Sequence, residues 1–323
     1  MAQQTMQAIR VHQYGGPEEL KLEQVACPQP QAGEVLIRVY AAGVLPAEWK
    51  ARQGLFHAFR PAVFPYIPGS AMAGAVAAVG PGVRTFQQGQ AVFGRSVHGT
   101  YAEYTTTAVE PPALTPDTFS LLALKPEALS FDEAATISGG ATTAWQALFA
   151  DGGLRAGQRV LIHGAAGGVG SFAVQFARWK GAHVIGTASK ANLDFVRSLG
   201  AETVIDYATT PFEQVARDVD MVLDTIGGET LRRSFGVVKR GGMLVSLLGQ
   251  PSQEQAQERG IRAMSNAALP TSQHLEIIAQ LIGAGQVAPT IERIFALHEA
   301  AQAHERSQRG HGRGRIVLHI TDD

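Results

Sequence analysis

The stretch RVLIHGAAGGVGSFAVQFARWK, residues 159–180, begins as an apolar strand, crosses a run of glycine and alanine, and leaves as a helix. Four glycines in seven residues (Gly164, Gly167, Gly168, Gly170) cost conformational entropy on folding, so the turn needs a reason. One reading is a tight strand-to-helix turn with no ligand. The other is a site where backbone approaches a phosphate. A strand that ends in glycines and feeds a helix aims that helix's unsatisfied N–H groups at whatever lies above the strand. On this second reading Ala166, Gly167, Gly168 and Val169 cradle a dinucleotide diphosphate, and Gly170 lets the helix pack on the strand. The face made by Val169, Ala173, Phe176 and Ala177 is apolar, as that packing requires. The glycines do not spell a strict G-x-G-x-x-G, so the neighbours must decide.

Working outward, the rhythm from about Leu129 alternates helix and strand. FDEAATISGGATTAWQALF reads as helix before RVLIH, with Ser130 as N-cap and Glu133 three residues on completing a capping box. HVIGTAS (183–189), ETVIDY (202–207), MVLDTIGG (221–228) and GMLVSLLG (242–249) read as strands, with a short helix at 192–199. The pattern predicts a doubly wound α/β domain with a parallel sheet. Before it lies a β-rich third, with strands at 8–14, 20–25, 34–44, 74–83 and 90–94. The segment 109–126 carries four prolines and no period, and reads as an exposed excursion. After about residue 270 come helices near 274–285 and 297–307 and a last strand at 315–320.

Cofactor choice is read about 20 residues beyond the glycine turn, where an NAD site carries an acidic residue for the ribose hydroxyls. Here the sequence is Thr187-Ala188-Ser189-Lys190, without a carboxylate. A hydroxyl and an ammonium suit an extra phosphate, and Tyr207 at the end of the third strand lies close enough in such a fold to join them. NADPH is therefore the expected cofactor; the competing reading has Ser189 as a helix cap and Lys190 as a solvated lysine.

The chain has 323 residues, 45% hydrophobic and 17% charged, with a formal net charge of -1. That balance gives no electrostatic case for nucleic acid or an anionic membrane as partner. One cysteine, Cys27, excludes an internal disulfide framework and suits a reducing compartment. The opening MAQQTMQAIRVHQYGG lacks a signal peptide's apolar core, and no run reaches the roughly 20 apolar residues of a membrane span. A cytoplasmic protein is expected.

Several motifs together resemble one family. AAGGVG, TASKANLDFVRSLGAETVIDY, AAGVLPAEWKARQG (41–54), FPYIPGSAMAGAVAAVGPGVRTFQQGQAVFG (64–94), GTYAEY (99–104), TTAWQAL, DTIGG and HGRGRIVL are similar to the zinc-independent quinone oxidoreductases of the medium-chain dehydrogenase/reductase superfamily. The resemblance spans nearly the whole chain. It implies a β-rich GroES-like catalytic domain at 1–127, completed by 271–323, with a Rossmann domain inserted at 128–270 and the substrate cleft between them. It also implies NADPH-dependent reduction of quinones or of the C=C bond of α,β-unsaturated carbonyls, and a homodimer. By match to family positions, Thr143 contacts the nicotinamide end and Phe56 faces the cofactor. On the same ground Leu247, Leu248 and Gly249 close the fourth βα unit and line the nicotinamide pocket, and Arg315 reaches the cofactor. Lys50 matches a lysine that can face the cleft and is the one candidate proton donor; a solvated lysine on the rim is the alternative. Tyr104 is expected to pack rather than react.

Zinc-dependent relatives place a cysteine at the Gly-Val-Leu-Pro stretch and His-Glu after the Gly of Pro-Gly. Here Gly69 is followed by Ser70 and Ala71, so no metal is expected, and His304 and His311 are expected on the surface. The chain departs from the family at Leu45, in place of an asparagine, and at Glu48, in place of an aspartate. Alternatives are an enoyl-thioester reductase and a non-catalytic NADPH-binding regulatory protein.

Overall fold

The computed structural model describes residues 4–109, 121–267 and 269–322; most of the proline-rich segment, 110–120, lies outside them. Two large sheets organise the chain. The first has six parallel strands in the order Thr203–Asp206, His183–Ala188, Arg159–Ile162, Val219–Asp224, Val238–Ser246, Arg262–Ser265. Numbered along the chain this order is 3-2-1-4-5-6, a doubly wound sheet whose direction of winding reverses beside the first strand. Strand residues alternate between two buried clusters. Val160, Ile162, Val184, Met221, Leu223, Met243 and Val245 face one, with Ala173 and Phe176 of the helix Gly170–Trp179. Leu161, Ile185, Val222 and Leu244 face the other, with Leu231 and Phe235. Such two-sided burial is why these strands read as continuous apolar runs.

The second sheet is mixed. Glu34–Val44 is its spine, paired antiparallel with Ala71–Val79, with Tyr104–Ala108 beside its first half and with the tail strand Arg315–His319 beside its second. Ile316 pairs with Val44 and Val317 with Gly43, so the end of the chain returns to the β-rich N-terminal part. Tyr104 sits in this sheet and packs against the cluster of Met6, Ala8 and Ala102.

Sequence and structure part in four places. The segment ending at 126 contains a strand, Leu121–Leu124, antiparallel to Val92–Arg95 and buried through its first three residues. Three more strands, Tyr104–Ala108, Arg262–Ser265 and Ile291–Ala296, were not legible as such. Pro46–Arg52 is a short helix. The helix beginning at Ser130 does carry its capping box, with Ser130 Oγ accepting from Glu133 N at 3.2 Å and Glu133 Oε2 accepting from Ser130 N at 2.9 Å. It breaks, however, at Ser138 (ψ 127°) and Gly139 (φ 77°) before helix resumes at Thr142–Trp145. Among the described residues no helix is long and apolar enough to cross a membrane.

Candidate active site

The glycine turn is held from below by tightly specified contacts. Gly164 adopts φ +67°, open to glycine at little cost. A Cβ at Gly170 would stand 2.1 Å from the Gly164 carbonyl oxygen, so the turn closes only without one. Thr225 Oγ1 donates to the His163 carbonyl at 2.8 Å, and the buried His163 ring meets Ser234 Oγ at 3.0 Å. Burial lowers the pKa of His163 to about 4, which keeps its imidazole neutral. Above the floor the turn is open: a Cβ at Gly167 would meet only the Gly164 oxygen, at 3.4 Å. The Gly167 amide is spent on that oxygen and the Gly168 amide faces the Gly314 carbonyl across a parallel bridge, but that of Val169 donates to no group among the described residues. No side chain caps the helix that follows. Bare amides at a helix N-terminus are an anion site.

The tail strand forms a wall of this site. Gly314 N donates to the Ala166 carbonyl at 2.8 Å, which brings Arg315 against Gly168, where a Cβ would lie 2.6 Å from Arg315 Cδ. The guanidinium is buried and donates through Nη2 to the Gly139 carbonyl, while its Nε has no partner. That carbonyl is available because the helix breaks there, and Thr143 Oγ1 donates to it at 3.1 Å. Burial lowers Arg315 to about 10, against the pull of Glu48, so it stays cationic near neutrality. An under-satisfied buried cation beside an unpaired amide fits a diphosphate-bearing group.

The C-terminal edge of the parallel sheet is apolar and open. Tyr207, Ile226 and Leu248 follow the third, fourth and fifth strands and are 51%, 53% and 43% exposed, unusual for such side chains unless a ligand covers them. At the end of the second strand Ser189 makes no capping bond, and Lys190 is exposed with no hydrogen bond or ion pair among the described residues. The capping alternative for Ser189 is thus not what the side chain does. Leu247, Leu248 and Gly249 follow the fifth strand of the sheet rather than closing a fourth unit; Leu247 N donates to Asp224 O at 2.9 Å.

On the other side of Arg315 lies a buried polar cluster. Leu45 packs on Gly139, and its amide donates to Glu48 Oε2 at 2.9 Å. Ser70 N donates to Glu48 Oε1 at 3.0 Å and Tyr101 Oη to Glu48 Oε2 at 2.6 Å. Burial pushes Glu48 above the usual carboxylate range, opposed by these donors and by the charge of Arg95. The Tyr101 proton is spent on Glu48, so His304 Nε2, 3.2 Å from the same oxygen, carries its own hydrogen toward it. His304 is fully buried, and burial lowers its pKa to about 3. The expectation of a surface histidine is therefore corrected. Its helix, Ala300–Arg309, presents Ala300, Ala303 and His304 on one face toward the β-rich core. His311 is exposed. Glu48 and His304 are the ligand-type groups here, and no set of three His, Cys, Asp or Glu able to hold a metal occurs among the described residues.

Lys50 and Phe56 keep to their own segment. The Lys50 ammonium lies 5.5 Å from the Trp49 ring centroid, and Phe56 packs on Phe59 at 5.6 Å.

Comparison with known proteins fits this geometry. Residues 31–115 match the alcohol dehydrogenase GroES-like domain and residues 199–318 the zinc-binding dehydrogenase model. The quinone oxidoreductase of Mus musculus is 36% identical over 98% of both chains. The chain belongs to the quinone oxidoreductases of the medium-chain dehydrogenase/reductase superfamily. The structure of the quinone oxidoreductase from Coxiella burnetii is similar at a TM-score of 0.88 and 33% identity, over 98% of this chain and 100% of that one. The 2-methylene-furan-3-one reductase of Solanum lycopersicum is 33% identical, over 97% of this chain and 79% of that one. Membership makes the chain an oxidoreductase with a GroES-like part and a Rossmann-like sheet that takes a nicotinamide cofactor. In this family frame Ala166 to Val169, Thr143 and Arg315 meet at one place, with Ser189, Lys190 and Tyr207 on adjoining strand ends. Sequence reasoning passed over Ile226 and Arg313, and met Glu48 only as a departure from the family's aspartate.

Proposed function

We propose that this protein is an NADPH-dependent reductase of quinones or of the C=C bond of α,β-unsaturated carbonyls, working without a catalytic metal, in the cytoplasm and as a homodimer. The observation that carries the cofactor choice is the end of the second strand, where a hydroxyl and an ammonium stand without partners among the described residues and without a carboxylate. Against the metal stands the donor set. Both oxygens of Glu48 are engaged by protein donors, and Ser70 and Ala71 offer no imidazole or thiolate.

The bound nicotinamide supplies hydride chemistry; the chain supplies binding, orientation and a dry wall. The Val169 amide and Arg315 hold the diphosphate, and Ala166, Gly167 and Gly168 let it approach the backbone. Thr143 and the backbone of Leu247 to Gly249 flank the nicotinamide end, and Phe56, on its own segment of the substrate lobe, faces the cofactor. Leu45, apolar where the family carries an amide, favours a substrate with little polar surface. We assign residues 1–127 with 271–323 to the substrate lobe and 128–270 to the cofactor lobe. The second copy pairs through the outer strand Arg262–Ser265, bonded on one side here; a monomer mass in sedimentation would refute that.

The test is oxidation of NADPH with 1,4-benzoquinone, phenanthrenequinone and short enones after exhaustive chelation. Turnover that survives chelation supports the reading, and silence across the panel contradicts it. Lys190→Ala is expected to raise the Kd for NADPH by at least about tenfold, the worth of a charge-assisted contact, with NADH within twofold; titration of both coenzymes measures it. In the same assay Lys50→Gln lowers kcat by at least about tenfold if Lys50 supplies the product's proton. An unchanged kcat assigns the proton to water.

A further inference from the structure

One tail residue reaches the other end of the site. Gly314 is fastened to the glycine turn through Ala166, and a Cβ on it would lie 2.1 Å from the Thr290 oxygen, so its backbone has little latitude. The preceding residue, Arg313, extends from this fixed point to the end of the second strand. There its Nε donates to Asn192 Oδ1 at 2.6 Å, its Nη2 donates to the Ala191 carbonyl, and its guanidinium lies 5.6 Å from the Phe195 ring centroid. Asn192 is itself buried, and its amide closes the turn onto the Ser189 carbonyl at 2.8 Å. Thus Ser189 to Asn192, the segment carrying the unpartnered hydroxyl and ammonium, is pinned from outside the Rossmann-like sheet by one arginine.

We infer that Arg313 is a positioning residue for coenzyme choice: it fixes the Ser189–Asn192 turn so that Ser189 and Lys190 are presented to the extra phosphate of NADPH. The inference rests on the proposed phosphate site. The physical reason is preorganisation. A lysine on a free surface turn loses conformational freedom when it binds, whereas a turn held by two charge-assisted bonds and a ring contact has already lost part of it. Arg313 also brings a second positive charge to the residue adjoining Lys190. Because Gly314 and Arg315 contact the diphosphate end of the same site, the tail spans both phosphate positions.

The test is a comparison of wild type, Arg313→Ala, Arg313→Lys and Lys190→Ala. KM and kcat are measured with NADPH and with NADH, and 2′,5′-ADP and ADP are titrated calorimetrically. For Arg313→Ala we expect a roughly tenfold rise in KM for NADPH, equivalent to about 1.4 kcal/mol, and the same weakening of 2′,5′-ADP. KM for NADH and the affinity for ADP should stay within about twofold. Arg313→Lys keeps the charge but not the forked contact, and should recover only part of the loss. Equal losses for both coenzymes, or none, overturn the inference. The two readings fail separately: if Lys190→Ala leaves NADPH preference intact, the phosphate site itself is wrong. If Lys190→Ala removes the preference while Arg313→Ala does not, the positioning role alone is wrong. Should Arg313→Ala not fold, Arg313→Lys with the ADP pair gives the same decision.

Discussion

Gly170→Ala is expected to weaken NADPH binding at least about a hundredfold, near 3 kcal/mol, and to lower the melting temperature as well. Its Cβ would lie 2.1 Å from the Gly164 oxygen and 2.8 Å from Ala165 Cα, both backbone atoms that retreat only if the turn opens. Opening the turn moves the unpaired Val169 amide, and the bare backbone of Gly167 and Gly168, away from the diphosphate. The informative control is Gly167→Ala. There the added carbon meets one oxygen at an ordinary 3.4 Å, so the unliganded protein should melt as wild type does. If the diphosphate lies against this turn, however, the methyl occupies its approach and coenzyme affinity falls. Binding by calorimetry and melting by differential scanning fluorimetry separate the two effects. Unaltered NADPH affinity in both variants would contradict the assignment of the turn.

Glu48→Leu is the second large effect, and it concerns stability. It leaves the Leu45 and Ser70 amides and the Tyr101 hydroxyl without an acceptor, and removes the negative charge facing Arg95 and Arg315. Stripping a buried group of its charge partner costs about 3–5 kcal/mol, which denaturant unfolding would register as a lower midpoint. Activity should fall with it, because the same carboxylate fixes Leu45 against Gly139 and so the carbonyl that Arg315 and Thr143 share. A loss below about 1 kcal/mol, the usual net worth of one hydrogen bond, would mean that the cluster carries little of the structure.

What could be read from the chain divides along physical lines. The parallel sheet was legible because both faces of its strands are buried, which leaves unbroken apolar runs such as Val160 to Ile162 and Val222 to Leu223. The helix start at Ser130 was legible because the capping box is a local device. Arg262–Ser265 was not: a four-residue edge strand is specified by its parallel neighbour, Val238–Ser246, which local pattern does not reveal. The break at Gly139 was hidden for a similar reason, since its exposed carbonyl is satisfied by Arg315, 176 positions away. In the site, the glycines and the Ser189–Lys190 pair announced themselves by chemistry and spacing. Glu48 stood out only as a replacement for the family's aspartate, and its burial comes from Ser70 and Tyr101, which approach from other strands and loops. His304 was misread because its neighbours Glu305, Arg306 and Arg309 suggest a solvated helix. The spacing of Ala300, Ala303 and His304, at i, i+3 and i+4 on one face, was the signal available. Arg313 was lost among the scattered basic residues of the tail.

The most direct test is a crystal structure grown with saturating NADPH. The account predicts the diphosphate against the glycine turn and the Val169 amide beside Arg315, with the additional phosphate between Ser189 and Lys190. A coenzyme seated elsewhere, or a glycine turn covered only by solvent at saturation, would contradict it.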